Sequence, residues 1–241
     1  MLMFQFWRKY LDGIPEYLAR HYWWAYLSPR GVWFFDHQTI ISLILFGQYR
    51  AILDEITRRY ATVPSPRALQ LTCAYGALTP SLAAAPGTGE LHLMDAATIQ
   101  LRAARRKIPA PVKPVLYARI NAESLAYADD CFDTVIIFFL LHELPPGARV
   151  HALHDALRVL KPGGRLLIAD YAMHSGKHLL HRLPPSRWLL ERLEPFLRDF
   201  WQSDLHALLA ESMQHNGKTL ASREEALLFH GFYRVLEYRL Q

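Results

Sequence analysis

The sequence predicts an α/β protein built on a doubly wound, mostly parallel sheet, with an aromatic-rich helical extension at its amino terminus. Three observations predict it. From residue 68 onward, short apolar runs alternate with helical stretches, the rhythm of a sheet flanked by helices. One run, Asp133–Leu140, is apolar almost throughout, as a strand covered on both faces requires. Residues 1–49, by contrast, hold 14 of the 30 aromatic residues and only three acids, Asp12, Glu16 and Asp36.

In the first segment Tyr17, Leu18, Tyr22 and Ala25 fall on one helical face, and Pro29 and Gly31 are expected to break the helix before a second apolar segment, Trp33 to Tyr49. Two roles fit. The segment is a cap buried on the core, or an interfacial element in which Trp and Tyr sit at headgroup level and Arg8, Lys9, Arg20 and Arg30 face anionic lipid. Both can hold on different faces.

The sheet region then reads in order. Ala68–Cys73 is a strand, and Pro80–Ala85 opens a helix. Glu90–Met94 is a second strand ending at Asp95, followed by the helix Thr98–Lys107. Pro114–Tyr117 is a third strand and Asp133–Leu140 a fourth. The helix His151–Leu160 closes at Lys161-Pro-Gly-Gly, and Arg165–Ala169 is a fifth strand. Leu179–Ala210 is helical and amphipathic, and Phe232–Leu240 supplies a final strand. The expected division is a helical cap over 1–60 and a sheet domain over 61–241, with a helical insertion at about 175–210.

Composition narrows the class. Hydrophobic residues at 51% and charged residues at 20% exclude a disordered chain. The longest apolar candidate, Ile40 to Phe46, falls far short of the roughly 18–20 residues of a spanning helix. The start, MLMFQFWRKY, has no small-residue cleavage site and does not read as a signal peptide. Cys73 and Cys131 form no CxxC or His-paired spacing, which argues against a disulfide framework or structural zinc. A net charge of +5 and a pI near 9.2 suit an anionic membrane surface. No dense basic or RNP-like motif points to nucleic acid. The expected location is cytoplasmic, peripheral on the inner face of the cytoplasmic or inner mitochondrial membrane.

Ligands of such sheets bind at the carboxyl ends of the strands, near the switch in strand order. Those ends carry the loop Leu69-Gln70-Leu71-Thr72-Cys73-Ala74-Tyr75-Gly76, then Asp95, then Asn121-Ala122-Glu123, with Phe132-Asp133 opening the fourth strand and Leu160-Lys161-Pro162-Gly163-Gly164 preceding the fifth. An acid closing the second strand suits two hydrogen bonds to ribose hydroxyls.

This ordered set resembles the class I S-adenosylmethionine-dependent methyltransferases, of Rossmann-like fold, over roughly residues 65–172, through ELHLMD, INAESLAYADDCFDTV and LRVLKPGGRLLIAD. The resemblance implies that Asp95 holds the cofactor ribose and that Ala122 and Glu123 flank the adenine. Thr72, Ala74, Gly76, Ala96, Asn121 and Phe139 complete the expected cofactor-binding set, and the Lys-Pro-Gly-Gly turn is structural. The family's first loop reads acid-x-Gly-x-Gly-x-Gly. Here Gln70, Thr72 and Ala74 replace all but the last glycine, Gly76, so the methionine end of the cofactor should be reshaped.

With YWWAYLSPRGVWFFDHQ, QLTCAYG and LLHELP added, nearly the whole chain resembles the rhodoquinone biosynthesis enzymes, relatives of quinone methyltransferases that do not methylate. That resemblance implies conversion of ubiquinone to rhodoquinone, a ring methoxy group giving way to an amino group. It further implies S-adenosylmethionine as nitrogen donor and manganese (Mn2+) as cofactor.

The chemistry asks for an unprotonated amine and a polarised carbonyl, hence a base and a Lewis-acidic cation. Nine of the twelve histidines lie beyond residue 141. Manganese favours oxygen ligands with some imidazole, so Glu143, Asp170 and His142 are the expected ligands, with His174 in the same pool. Tyr75, His142 and His174 are the expected catalytic groups. Tyr26, Phe35, His37 and Trp188 are expected to meet the quinone. Two other readings are an ordinary methyltransferase acting on a quinone precursor and a catalytically silent membrane-associated scaffold. The altered glycine loop separates the first reading from the second. The retained Asp95 and the strand-end acids and histidines separate it from the third.

Overall fold

A computed structural model describes residues 13–108, 110, 113–173, 178–182 and 184–241. Seven strands form one sheet in the order β3-β2-β1-β4-β5-β7-β6. They are β1 Ser65–Leu71, β2 Thr88–Asp95, β3 Val115–Arg119, β4 Phe132–Phe138, β5 Leu160–Tyr171, β6 Leu220–Leu228 and β7 Tyr233–Leu240. The first five pair in parallel, and the hairpin β6–β7 adds antiparallel to β5. The order reverses between β1 and β4, which puts the ligand crevice above their carboxyl ends. The sheet is a mostly parallel, Rossmann-like one, as the strand–helix rhythm predicts.

The strands most completely covered are the apolar ones: Val135, Ile136 and Ile137 of β4 and Leu166, Leu167 and Ile168 of β5 are fully buried. Helix Thr98–Lys107 packs on β2 and β3, helix Pro146–Arg158 on β5, and helix Tyr49–Ala61 on β5 and β7. That last helix buries Tyr49, Ile52, Leu53, Ile56 and Tyr60, the i, i+3, i+4, i+7 stripe of a core-facing helix.

Three expectations are corrected. Pro29 begins a helix instead of breaking one: it is the first residue of Pro29–Phe35, capped by the Ser28 side chain accepting from the Gly31 amide. Proline suits that position because the amide it lacks has no partner in a first turn. The carboxyl-terminal strand is half of a hairpin. Its partner β6 is exposed along most of its length and carries Arg223, Glu224 and Glu225, so no apolar alternation marks it, and its charges protect a sheet edge. Finally, Lys161-Pro-Gly-Gly does not precede β5 but interrupts it. Register passes from Phe132↔Leu160 to Thr134↔Arg165 across the turn, and Gly163 takes φ +73° there.

The amino-terminal segment is a series of short helices, Glu16–His21, Trp23–Leu27 (a π-helical turn), Pro29–Phe35 and Gln38–Ile44. They bury Tyr22, Ala25, Val32 and Ile41 and leave Trp23, Trp33, Phe34 and Leu43 exposed. Arg8 and Lys9 lie outside the described residues. The insertion comprises helices Leu179–Arg182, Pro184–Leu193, Leu197–Gln202 and Leu205–His215. No helix among the described residues is long and apolar enough to cross a membrane.

Candidate functional site

A cavity of about 380 Å3 opens above the carboxyl ends of β1, β2, β4 and β5, roofed by the amino-terminal helices. Its floor includes Thr72 to Tyr75, Asp95, Ala96, Asn121, Ala122 and Phe139, and its roof includes Tyr26 and Phe35. With His142 and Glu143, which also line it, twelve of the sequence-derived site residues therefore share one space. Gly76 stands beside it in the same loop.

The loop after β1 does by other means what glycines would do. Thr72 adopts φ +64°, a left-handed conformation costly for a β-branched residue. Its carbonyl accepts from Gln70 Nε2 at 3.0 Å. Gly76 has φ +77°, and a Cβ there would lie 2.3 Å from Tyr49 Oη. This glycine is required both for its backbone conformation and for space. The Gly76 amide donates to Asp36 at 2.9 Å. Lys107 Nζ ties the rest together, 2.6 Å from Asp36 and within 3.2 Å of the Ala74 and Gly76 carbonyls.

Tyr75 differs from expectation. Its hydroxyl donates to the Ala25 carbonyl at 2.6 Å and accepts from Gln100 Nε2 at 2.8 Å. A tyrosine so committed binds the roof to the floor.

Asp95 ends β2 and is buried. Oδ2 accepts from the Cys73 amide at 2.8 Å and Oδ1 from the Ala97 amide at 2.7 Å, and the carboxylate lines the cavity. Burial raises its pKa from the ordinary 3.8 to about 6, against the lowering effect of those amides. Asn121 holds the following turn: its Oδ1 accepts from the Glu123 amide and its Nδ2 donates to the Glu123 carboxylate. Ala122 faces the cavity, whereas Glu123 is not among its lining residues.

At the other end of the cavity lies a polar cluster. The turn Leu141–Glu143 follows β4 and presents His142 and Glu143, and Glu194 enters from the insertion. Tyr26 donates to Glu143 in a short hydrogen bond, and Tyr22 donates to Glu194 at 3.1 Å. His142 Nδ1 sits 2.8 Å from Asp170 Oδ1. Its Nε2 points between Glu143 Oε1 at 4.0 Å and Glu194 Oε2 at 3.9 Å. Burial alone would lower the imidazole pKa, but Asp170, with Glu194 and Glu143, raises it to about 9. Loss of hydration raises both Glu143 and Glu194, and their mutual repulsion adds to the rise at Glu143. One imidazole and two carboxylates form a donor set that suits a divalent cation.

Asp170 is corrected as a ligand. It is fully buried, and it accepts from the Leu141 amide, the Tyr171 amide and His142, so it orients the histidine. His37 and Trp188 are not in the cavity. His37 lines a separate surface groove with Trp33, Arg102 and Arg106, and Trp188 is 67% exposed on the insertion. His174 lies outside the described residues.

Sequence reasoning missed Glu194, Tyr22, Asp36, Lys107 and Arg149. Arg149 is buried and donates to the Leu141 and Leu144 carbonyls, to Asp199 and to Ser203, fixing the turn that carries His142. None has a local signature, since each is an ordinary charged or aromatic residue on a helix or at its end.

A family model described as "Methyltransferase domain" matches residues 68–164. The chain is 35% identical over 139 residues to the ubiquinone/menaquinone biosynthesis C-methyltransferase UbiE of Proteus mirabilis, covering 54% of this chain and 53% of that one. It is 33% identical over 131 residues to the demethylmenaquinone methyltransferase of Bacillus mycoides, covering 54% of each. The chain thus spans about half the length of the curated relatives it matches. Among solved structures, the N-methyltransferase NodS from Bradyrhizobium japonicum in complex with S-adenosyl-L-homocysteine matches with a TM-score of 0.56 at 18% identity, over 79% of this chain and 86% of that one. The [4+2]-cyclase SpnF matches with a TM-score of 0.54 at 18% identity, over 78% and 79%. At these identities the structures speak for the fold alone. The sheet order and the Asp95 strand end agree with that match: over residues 68–164 the chain is similar to a methyltransferase domain, on a sheet of the Rossmann-like class I methyltransferase fold.

Proposed function

We propose that the cavity binds S-adenosylmethionine and a quinone, and that the reaction exchanges a ring methoxy group for an amino group instead of adding a methyl group. Asp95 would accept from the ribose hydroxyls, Ala122 and Phe139 would border the adenine, and the Thr72–Gly76 loop would bound the methionine end. The quinone class is supported by the relatives named as ubiquinone and menaquinone methyltransferases. A fold neighbour named as a cyclase is a reminder that this fold does not fix the reaction.

The observation that carries the amino-transfer reading is the pairing of two departures in one cavity: the glycine-poor loop braced by Lys107 and Asp36, and the His142–Glu143–Glu194 cluster. S-adenosylmethionine would supply the nitrogen through its α-amine, which adds to a ring carbon conjugated to a carbonyl as the methoxy group leaves as methanol. Loss of the Cα proton, with two electrons passing into the quinone ring, would then give an imine of the hydroquinone. Water would cleave the C=N bond to release the aminated hydroquinone and the matching α-keto acid. The chain's part is to hold the amine and the ring in register, exclude water with the aromatic roof, and keep charged groups beside the carbonyl. A Mn2+ ion, when bound among those side chains, would polarise that carbonyl as a Lewis acid.

Methyl transfer to a quinone precursor is the second reading, favoured by the sequence relatives. One experiment separates the two. Purified protein is incubated with Mn2+, ubiquinone or a demethylated precursor, and S-adenosylmethionine labelled with 15N in its amino group and 13C in its methyl group. The expected product is aminated ubiquinone carrying 15N. A product carrying 13C instead would establish methyl transfer.

The same proposal places the protein on a membrane surface. Trp24, Ile44 and Leu193 both line the cavity and are exposed, giving it an apolar rim. The amino-terminal helices and the insertion also leave Trp23, Trp33, Leu43, Trp188 and Leu189 exposed, a composition suited to the headgroup region. Flotation with anionic vesicles at low salt should carry the protein upward, and a Trp23→Ser, Trp33→Ser double variant should stay behind.

A further inference from the structure

The Nε2 atom of His142 has no hydrogen-bond partner among the described residues, although the side chain is almost completely buried, at 4% exposure. It points into the cavity at two carboxylate oxygens that stand too far away for hydrogen bonds, Glu143 Oε1 at 4.0 Å and Glu194 Oε2 at 3.9 Å. Ligand atoms of the three residues lie within 4.8 Å of one another. Each of the three is also positioned by a hydrogen bond. Asp170 holds His142 from behind through Nδ1, while Tyr26 and Tyr22 donate to the same Glu143 and Glu194 oxygens that face Nε2, each of which keeps a further lone pair. A lone acidic cluster would have neither the inward-facing imidazole nor this outer layer.

We propose that His142 Nε2, Glu143 and Glu194 are the protein ligands of a divalent cation, with Asp170 acting as the positioning residue that fixes the imidazole tautomer. A proton on Nδ1 donated to Asp170 leaves the Nε2 lone pair free for a metal, the carboxylate–histidine–metal arrangement that recurs in metal sites. Two carboxylates and one imidazole favour Mn2+ over an all-oxygen Mg2+ site. Glu194 is the new element. It comes from the insertion after β5, more than fifty residues beyond His142 in sequence, so the cation would join the insertion to the sheet. Tyr22 and Tyr26 would tie the roof to the same ligands. This assignment does not rest on the reaction proposed above, because metal binding is measurable with no quinone or S-adenosylmethionine present.

The test uses the full chain stripped with a chelator and titrated with Mn2+. Electron paramagnetic resonance follows the loss of the free-ion signal, and pulsed measurements look for a nitrogen coupled to the bound ion. The wild type should bind one Mn2+ with an imidazole nitrogen in its spectrum. Glu194→Gln, an isosteric change, should weaken binding more than about a hundredfold while keeping the nitrogen coupling of whatever ion remains bound. Asp170→Asn should weaken it by about 10–100-fold, the usual range for an outer-layer partner. His142→Ala should abolish the nitrogen coupling. Unaltered affinity in Glu194→Gln, or a wild-type spectrum without nitrogen, would overturn the assignment. Circular dichroism of Glu194→Gln separates loss of a ligand from loss of the fold.

Discussion

Tyr26 and Tyr75 stack face to face, their ring centroids 5.5 Å apart and their planes within 11°. One belongs to the amino-terminal helices and the other to the loop after β1, so this pair is where the roof of the cavity meets its floor. Gln100 bridges them, donating to the Tyr26 carbonyl and to the Tyr75 hydroxyl. The contact joins the altered loop to the aromatic segment: each supplies half of a partly buried stack that lines the cavity.

If the Tyr75 hydroxyl is a tether and not a chemical group, Tyr75→Phe keeps the stack and loses only two hydrogen bonds. Stability should fall by about 1–3 kcal/mol, with turnover within a few-fold of wild type. A drop in kcat of a hundredfold or more, with normal thermal unfolding, would return Tyr75 to the list of reacting groups.

The Thr72 backbone carries strain of about 1–3 kcal/mol, more than the roughly 0.5–1 kcal/mol that a glycine costs in unfolded-chain freedom. Thr72→Gly should therefore raise the urea midpoint. Combined with Ala74→Gly it should preserve cofactor affinity and reduce amino transfer, since a misplacement of about 1 Å at the reacting nitrogen can cost roughly a hundredfold in rate. Unchanged turnover in the double variant would mean that the loop plays no part in directing the chemistry.

Asp95 gives a pH prediction. Its pKa is raised by burial from 3.8 to about 6, so this group's contribution to folding stability is full below 3.8 and is lost as pH rises through about 6. Ribose binding needs the ionised form and runs the opposite way. Calorimetric affinity for S-adenosylhomocysteine should fall about tenfold between pH 7.5 and pH 5, one decade for each unit below the pKa. Asp95→Asn should be weak at both pH values and lack that dependence. An affinity equally strong at pH 5 would remove Asp95 from the ribose.

Lys107 closes the loop from below, and Lys107→Met keeps its apolar stem while removing the ammonium. That leaves Asp36 and two loop carbonyls without their shared donor, a loss of about 1–3 kcal/mol. The expected result is a lower melting temperature together with weaker cofactor binding. Binding that survives intact would show that the Asp36–Gly76 contact is sufficient to set the loop.

Much of the fold is legible in the chain itself. Helix Thr98–Lys107 has the bounds its sequence predicts, because apolar spacing and flanking strands define it locally. β2 and β4 announce themselves as apolar runs. The ligand edge follows from strand polarity alone, which is why Asp95, Asn121–Ala122 and the Thr72–Gly76 loop can be named in advance. β6 could not be, since an exposed edge strand is stabilised by ladder hydrogen bonds to β7 and by nothing in its side-chain pattern.

The division between the two sources of information is sharpest at the polar cluster. Sequence placed His142, Glu143 and Asp170 at strand ends, because residue position along a parallel strand determines which edge it reaches. It could not tell a ligand from its support, since that depends on which way a buried side chain turns and what already occupies its lone pairs. Asp170 is fully buried and outside the cavity lining, whereas His142 lines the cavity with Nε2 toward Glu143 and Glu194. Nor could it find Glu194, Tyr22 or Lys107, which reach the cavity from segments far away in sequence, brought there by packing of the insertion and the aromatic helices against the sheet. Local order along the chain determined the scaffold and its ligand-binding edge; long-range packing alone decided which side chains share the cavity and which of them are free to bind.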